Sequence, residues 1–373
     1  MSALFSPFKL KNLTLPNRIV IAPMCQYSAD NGAATDWHMM HLLNLAMSGA
    51  GLLIIEATGV EPEGRITPGD LGLWDDRTEA ALKPIMAAIR KYSNIAVGMQ
   101  IAHAGRKASS HLPWESGQQI PVGQGGWIAS APSALPQKDG ETPPAALDKA
   151  GMARVKNAFV ETTKRAERLG IDAIEVHNAH GYLLHEFLSP ISNRRTDEYG
   201  GSLENRMRFP LEVFDAVRAV FPSHKPVGIK VSASDWVDGG WDIQQTIAFA
   251  KELKKRGVDW VDASSGGVSP KQKIALGPGY QVQFSEAVRK EAGVNTFAVG
   301  LITETKQAED IVASGKADFV ALARGMLYDP RWPWHAAAEL GATVDGPPQY
   351  WRAPPHDYKD VFGEIVAKKS GAR

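Results

Sequence analysis

Residues 170–176 read GIDAIEV, 257–263 read GVDWVDA and 315–321 read GKADFVA; these stretches decide the fold. In each, a glycine follows an amphipathic segment, an aspartate comes within three residues, and a short apolar run rises. A fainter copy, GLLIIEA, lies at 51–57. Glycine suits the left-handed position that closes a helix, and the apolar run suits a strand buried on both faces. The segments upstream carry helical spacing. Met152, Val155, Phe159, Thr162, Ala166 and Leu169 share one face of 151–169. Ile247, Ala250 and Leu253 do the same in 244–256, as do Ala308, Ile311 and Val312 in 304–314.

Working outward from these units, eight apolar runs read as strands: Ile19–Ala22, Leu52–Glu56, Ala96–Ile101, Ala173–Val176, Val227–Val231, Trp260–Ala263, Phe297–Val299 and Phe319–Leu322. Helical segments alternate with them. Eight such units predict an α/β fold of the (β/α)8 TIM barrel type. A doubly wound open sheet is the competing architecture, but it wants a Gly-rich turn after its first strand, and no GxGxxG occurs there. A barrel takes about 250 residues, leaving roughly 120 for decoration. Residues 1–340 are expected to form the barrel. A capping loop or hairpin is expected after the third strand, at about 108–147, where residues 111–147 are rich in Pro, Gly and Ser and lack periodicity. Residues 341–373 read as a C-terminal tail suited to dock on a neighbouring protomer.

Composition narrows the function. The 373 residues are 44% hydrophobic and 22% charged, ordinary globular usage. Lys+Arg and Asp+Glu are both 41, so no net charge attracts nucleic acid or an anionic membrane. No apolar run reaches the roughly 18 residues needed to span a bilayer. Residues 1–10 lack a basic stretch followed by an apolar segment, so a cytoplasmic protein is expected. A single cysteine, Cys25, excludes an intrachain disulfide and any multi-cysteine zinc or iron–sulfur site.

Barrel chemistry gathers at the carboxyl ends of the strands. Polar residues stand there. Pro23, Met24, Cys25, Gln26 and Tyr27 follow the first strand; Gln100 and His103 lie near the end of the third; His177, His180 and Tyr182 follow the fourth. Lys230 lies in the fifth, Ser264 and Ser265 follow the sixth, Gly300 the seventh, and Arg324 the eighth. Polar groups from so many strands are hard to explain as packing alone. The His177/His180 spacing is compatible with structural histidines, with metal ligands joined by His103, or with two donors aimed at one substrate oxygen. The metal reading makes the chain a metal-dependent TIM-barrel hydrolase, although such enzymes usually place His-x-His on the first strand, which here ends in MCQYS. Paired donors suit an oxygen that becomes negative during reaction. Arg324, with Gly300 and Gly325 nearby, suits a phosphate.

At these residues the chain resembles the Old Yellow Enzyme family of flavin-dependent ene-reductases, in its bacterial branch called thermophilic-like, which includes xenobiotic reductases. The motifs are PMCQYS at 23–28, EPEGRIT at 61–67, QIAHAGRKA at 100–108, EVHNAHGYLLHEFLSPISNRRTDEYGGSLENRMRF at 175–209 and VSASDW at 231–236. The resemblance runs from the amino terminus to ARGMLYDPRWP.

The resemblance implies non-covalent FMN and a hydride relay from NADPH or NADH through the flavin. The hydride goes to the β-carbon of an α,β-unsaturated carbonyl or nitro compound, or to a quinone, by a ping-pong mechanism. It implies that Ala22, Pro23, Met24, Cys25 and Ala57 line the flavin, that Gln100 bonds its pyrimidine edge, and that Ala323, Arg324 and Gly300 hold its phosphate. His177 and His180 match the pair that binds the substrate's oxygen, Tyr182 the proton donor, and Tyr27 a tyrosine that closes on the substrate. No metal is implied. Arg352, in QYWRAP, matches an arginine that reaches into a neighbouring site, implying a homodimer or homotetramer. Two positions depart from the pattern. Lys230 stands where the family usually has arginine, keeping the charge but losing the flat bidentate donor. Asn178 stands between the histidines where alanine is common.

Overall fold

The computed structural model describes residues 2–363. Residues 364–373, the end of the expected tail, lie outside the described residues. Eight parallel strands close a barrel: β1 Ile19–Ile21, β2 Leu52–Gly59, β3 Ala96–Ala102, β4 Ala173–Asn178, β5 Val227–Ser232, β6 Val261–Ser264, β7 Thr296–Ala298 and β8 Phe319–Leu322. Closure comes from β8 against β1, with Val320 opposite Ile19 and Leu322 opposite Ile21. Helices follow the strands on the outside, including Asp36–Ala46, Asp76–Tyr92, Lys149–Arg168, Leu203–Val220, Ile243–Lys255, Val282–Ala292 and Thr305–Ala313.

The recurring Gly…Asp unit has a physical cause. Gly170, Gly257 and Gly315 take φ of 75°, 78° and 71°, the left-handed geometry that ends a helix. The aspartate then reaches sideways to the neighbouring strand. Asp172 accepts the amide of Val97 at 2.8 Å, Asp259 that of Val227 at 2.8 Å, and Asp318 that of Thr296 at 2.9 Å. Each carboxylate satisfies a strand-edge donor at the base of the barrel and fixes where the next strand starts.

Inside the barrel the base is aromatic. Trp260 and Phe297 stack at 5.1 Å and 6°, and Phe297 tilts on Phe319 at 4.9 Å. Gly228 leaves room for Trp260, since a Cβ there would stand 2.0 Å from the indole. The antiparallel hairpin Phe8–Leu10 with Leu13–Leu15 seals the underside, Phe8 meeting Phe319 edge-on at 5.0 Å. Burial of such rings supplies much of the driving force for folding.

Seven of the eight strands differ from the sequence reading at one or both ends, by one to three residues, and three of these shifts bear on the site. β4 runs on through His177 and Asn178, so His177 sits on the strand rather than after it. β6 includes Ser264, and β2 continues to Gly59 past an irregularity between Ile55 and Thr58. The segment after β3 holds a 3-10 turn at Val122–Gln124 and a short pair, Ser130–Ala131 with Ala145–Ala146, which is parallel and so is not a hairpin. Among the described residues no helix is long and apolar enough to cross a membrane.

Candidate functional site

A polar layer rests on the aromatic base. Glu175 on β4 lies level with Gln100 on β3. Its Oε1 accepts from Gln100 Nε2 at 2.8 Å and its Oε2 from the Trp260 indole at 3.1 Å. Two residues along β4, His177 lies level with Lys230 of β5, and Lys230 with Asp262 of β6. Lys230 Nζ donates to Asp262 Oδ2 at 2.5 Å. All six side chains are buried. Burial, helped by Asp262, pushes Glu175 up to about 7. Burial also raises Asp262, with Lys230 opposing. Burial alone would lower the Lys230 ammonium, but Asp262 and Glu175 reverse this and hold it above the usual lysine value.

Past β4 the chain turns sharply. His180 has φ 59° and Gly181 φ 74°. A Cβ on Gly181 would stand 2.2 Å from the Gly267 carbonyl oxygen, and one on Gly267 2.4 Å from the His180 carbonyl. Only hydrogens fit where the turn after β4 meets the turn after β6. His180 is pinned from three sides. Its amide donates to Ser232 Oγ at 2.8 Å, its carbonyl accepts from Lys107 Nζ at 2.8 Å, and its Nε2 lies 2.7 Å from Ser264 Oγ.

His177 Nδ1 accepts the Ala179 amide at 3.2 Å, which assigns the ring proton to Nε2. The two imidazoles stand edge to face, centroids 5.3 Å apart and planes at 83°. Tyr182 meets His177 at 4.9 Å and 88°. Burial lowers both histidines well below the ordinary value. Lys230 and Lys107 add to this for His177, and His177 with Lys230 for His180, so both rings are neutral donors at neutral pH. Burial raises the Tyr182 phenol, which keeps its proton, and Lys107 Nζ lies 4.7 Å from its ring centre. Lys107 itself is brought down to about 8 by burial.

After β1, the Gln26 amide donates to Glu56 Oε2 at 2.9 Å and steadies the Cys25–Tyr27 segment. Burial, then Asp70 and Glu56, raise the Cys25 thiol, so it is no thiolate nucleophile. Tyr27 has φ 53°, and burial followed by Cys25 raises its phenol. Trp114, from the segment after β3, packs edge-on against Tyr27 at 5.7 Å.

A cavity of about 240 Å³ opens beside these groups. Ala22, Pro23, His180, Lys230, Gly300, Ala323 and Arg324 line it, so residues from strands distant in sequence come together here. Two cations and no carboxylate line this wall. Arg324 is exposed, and among the described residues no carboxylate pairs with it. His177, Tyr182, Gln100, Met24, Cys25, Tyr27 and Ala57 lie outside the lining. Ala57 and Gln100 are buried in β2 and β3, and Met24 packs against the outer core. Arg352 is exposed and does not line this cavity.

His103 does not join the other two histidines. Its Nε2 lies 3.0 Å from Glu61 and its Nδ1 accepts the Gly105 amide at 3.0 Å, so both ring nitrogens are engaged. Among the described residues no group of three or more His, Cys, Asp or Glu side chains is placed to hold a metal ion. The three-histidine hydrolase set therefore does not form. Sequence reasoning overlooked Glu175, Asp262, Lys107 and Trp114. The signal for the first two was a charged residue inside a run otherwise read as buried strand.

Residues 3–342 match the model of the NADH:flavin oxidoreductase / NADH oxidase family. An NADPH dehydrogenase from Geobacillus thermodenitrificans is 45% identical over 353 residues, covering 94% of this chain and 98% of that protein. An NADPH dehydrogenase from Listeria monocytogenes is 43% identical over 358 residues, covering 95% of this chain and 99% of that protein. Among solved structures, morphinone reductase superposes with TM-score 0.75 at 28% identity, covering 97% of this chain and 96% of that one. It has also been solved with tetrahydroNAD. An Old Yellow Enzyme homologue from Zymomonas mobilis gives TM-score 0.76 at 26% identity, covering 96% of this chain and 99% of that one.

Proposed function

Because the chain belongs to the NADH:flavin oxidoreductase / NADH oxidase family, that of the Old Yellow Enzymes, we propose that it is an ene-reductase. It is an FMN-dependent NAD(P)H oxidoreductase. The proposed acceptors are alkenes conjugated to a carbonyl or nitro group, together with quinones, reduced by a ping-pong mechanism in which nicotinamide and acceptor use one site in turn.

The residues present fit FMN. The cavity wall offers Arg324 to an anionic ligand, carries Lys230 in its ion pair with the buried Asp262, and keeps side chains away at Gly300 and Gly325. Arg324, with Ala323 and Gly300, would hold the phosphate. Ala22, Pro23, Met24, Cys25 and Ala57 would bound the ring, with Gln100 and Lys230 at its pyrimidine edge. Gln100, having committed Nε2 to Glu175, offers its carbonyl oxygen to an imide N–H. When bound, FMN accepts a hydride from the nicotinamide and passes one to the acceptor.

The chain's own groups orient and stabilise. His177 donates from Nε2 to the substrate's activating oxygen, and His180 joins it by releasing Ser264 or by turning its other nitrogen. As this oxygen gains charge, neutral imidazoles fixed in a dry site stabilise it more than water does. The Tyr182 hydroxyl, which has no hydrogen-bond partner among the described residues, supplies the proton for the α-carbon. Tyr27, backed by Trp114, closes over the substrate. Arg352 of a neighbouring copy completes the pocket, in a homodimer or homotetramer.

The observation that carries this reading is the pair of perpendicular, neutral imidazoles 5.3 Å apart beside a buried lysine and a free phenol. The purified protein is expected to be yellow, to bleach with NADPH in the absence of oxygen, and to regain colour with cyclohexenone. Bleaching that cyclohexenone, nitroalkenes and quinones all fail to reverse would refute the acceptor class.

A further inference from the structure

Beneath the imidazoles the barrel holds two carboxylates and one ammonium. Asp262 takes Lys230 at 2.5 Å, and its other oxygen has no hydrogen-bond partner. Glu175 is wholly buried and accepts only from neutral donors, the Gln100 amide and the Trp260 indole. The groups acting on it are Gln100 from β3, Lys230 from β5, and Asp262 with Trp260 from β6, and His177 stands two residues along its own strand. The aromatic base below is uncharged. His177 is neutral, so Lys230 is the cation of this layer, and Asp262 already holds it. A second buried carboxylate without a cation of its own tends to take a proton. Arrival of a hydride on a cofactor ring above this layer would add one more negative charge.

We propose that Glu175 is a proton-accepting residue of the flavin half-reaction, taking up one proton as the ring is reduced and releasing it as the ring is reoxidised. The balance is simple. The hydride brings two electrons and one proton to the ring, whose charge falls by one. A proton from solvent forms an O–H bond on Glu175, whose charge rises by one, and the charge of the whole site is unchanged. Reoxidation by the acceptor reverses both events. The inference rests on the ring position proposed above and adds a titrating partner for its charge. Burial and Asp262 already push Glu175 up to about 7, and a new negative charge raises it further, so proton uptake belongs to the range above neutrality.

The test is a spectroelectrochemical titration of the FMN-loaded protein between about pH 7 and 9. The wild type is expected to take up two protons per two electrons, so its midpoint potential falls with pH twice as steeply as for a one-proton couple. E175Q is expected to show the one-proton slope. D262N, which leaves Lys230 to Glu175 alone and so keeps it ionised, is expected to do the same. On reduction, infrared difference spectra of the wild type should gain a protonated-carboxyl band that E175Q lacks. A one-proton slope in the wild type, or a two-proton slope and carboxyl band persisting in E175Q, overturns the inference. The wild-type slope and band decide the matter alone should E175Q fail to fold. A folded protein that takes up no FMN refutes the cofactor placement itself.

Discussion

His180 Nε2 lies 2.7 Å from Ser264 Oγ, so the imidazole that faces the cavity is already in a hydrogen bond to its own barrel. Ser264 in turn approaches Gln281, at 3.4 Å. Ligand binding must compete with this contact. H180A is expected to slow oxidation of the reduced protein by cyclohexenone roughly 10²–10³-fold, the loss typical for one oxyanion donor, while reduction by NADPH changes much less. S264A frees the ring and should change the same rate by less than about tenfold. Stopped-flow absorbance of the two half-reactions separates these outcomes.

Arg324 carries a guanidinium with no carboxylate partner among the described residues. R324A should weaken FMN binding by roughly 10–100-fold, the worth of hydrogen bonds to a charged group. Riboflavin, which lacks the phosphate, should bind both proteins alike. Fluorescence titration of the apoprotein with each ligand measures the difference; equal losses for the two ligands would place the phosphate elsewhere.

Lys107 holds the carbonyl of a histidine in left-handed geometry and places its ammonium over Tyr182. K107M is expected to slow the oxidative half-reaction about tenfold or more without weakening FMN binding, and K107R to restore part of it. Burial brings Lys107 down to about 8, so the wild-type rate should fall as pH rises through that value. The corresponding limb should vanish from the K107M profile.

Asp70 gives a stability prediction with a definite sign. Burial raises it to about 7, although the Ile66 amide and the Thr67 hydroxyl both donate to it. An unfolded aspartate titrates near 3.9, so between the two values the folded chain keeps a proton that the unfolded chain has lost. The stabilisation is full below about pH 4 and is lost as pH rises through 7. Relative to D70N, which cannot titrate, the wild type should lose stability across that range, by at most on the order of 4 kcal/mol. Urea unfolding at a series of pH values checks this. A flat difference curve would contradict it.

The barrel was legible because its repeating unit is written locally. The glycine that ends each helix and the aspartate that grips the neighbouring strand sit within a few residues of each other, as at Gly170 and Asp172. The placement of His180 and Arg324 on the cavity wall was legible from strand-end position, whereas His177 lies on β4 itself and outside the lining. Glu175 and Asp262 were harder to see, because a carboxylate inside an apolar run declares its partners only when strands are aligned. Gln100 lies 75 residues from Glu175, and Lys230 lies 32 from Asp262. Lys107 was hidden for the same reason, acting on His180 across 73 residues. Trp114 lies in an aperiodic segment whose course no local rule specifies.

The mutual contact of Gly181 and Gly267 also bears on how this mouth can evolve or be redesigned. With no space for even a methyl group between them, the wall that carries the imidazoles cannot be widened one substitution at a time. Room for bulkier ligands is more easily gained at the segment after β3, where Trp114 is 67% exposed and, among the described residues, meets Tyr27 as its one aromatic neighbour. Variation in acceptor size should therefore track the length and composition of the segment bearing that indole, while the histidine wall stays fixed.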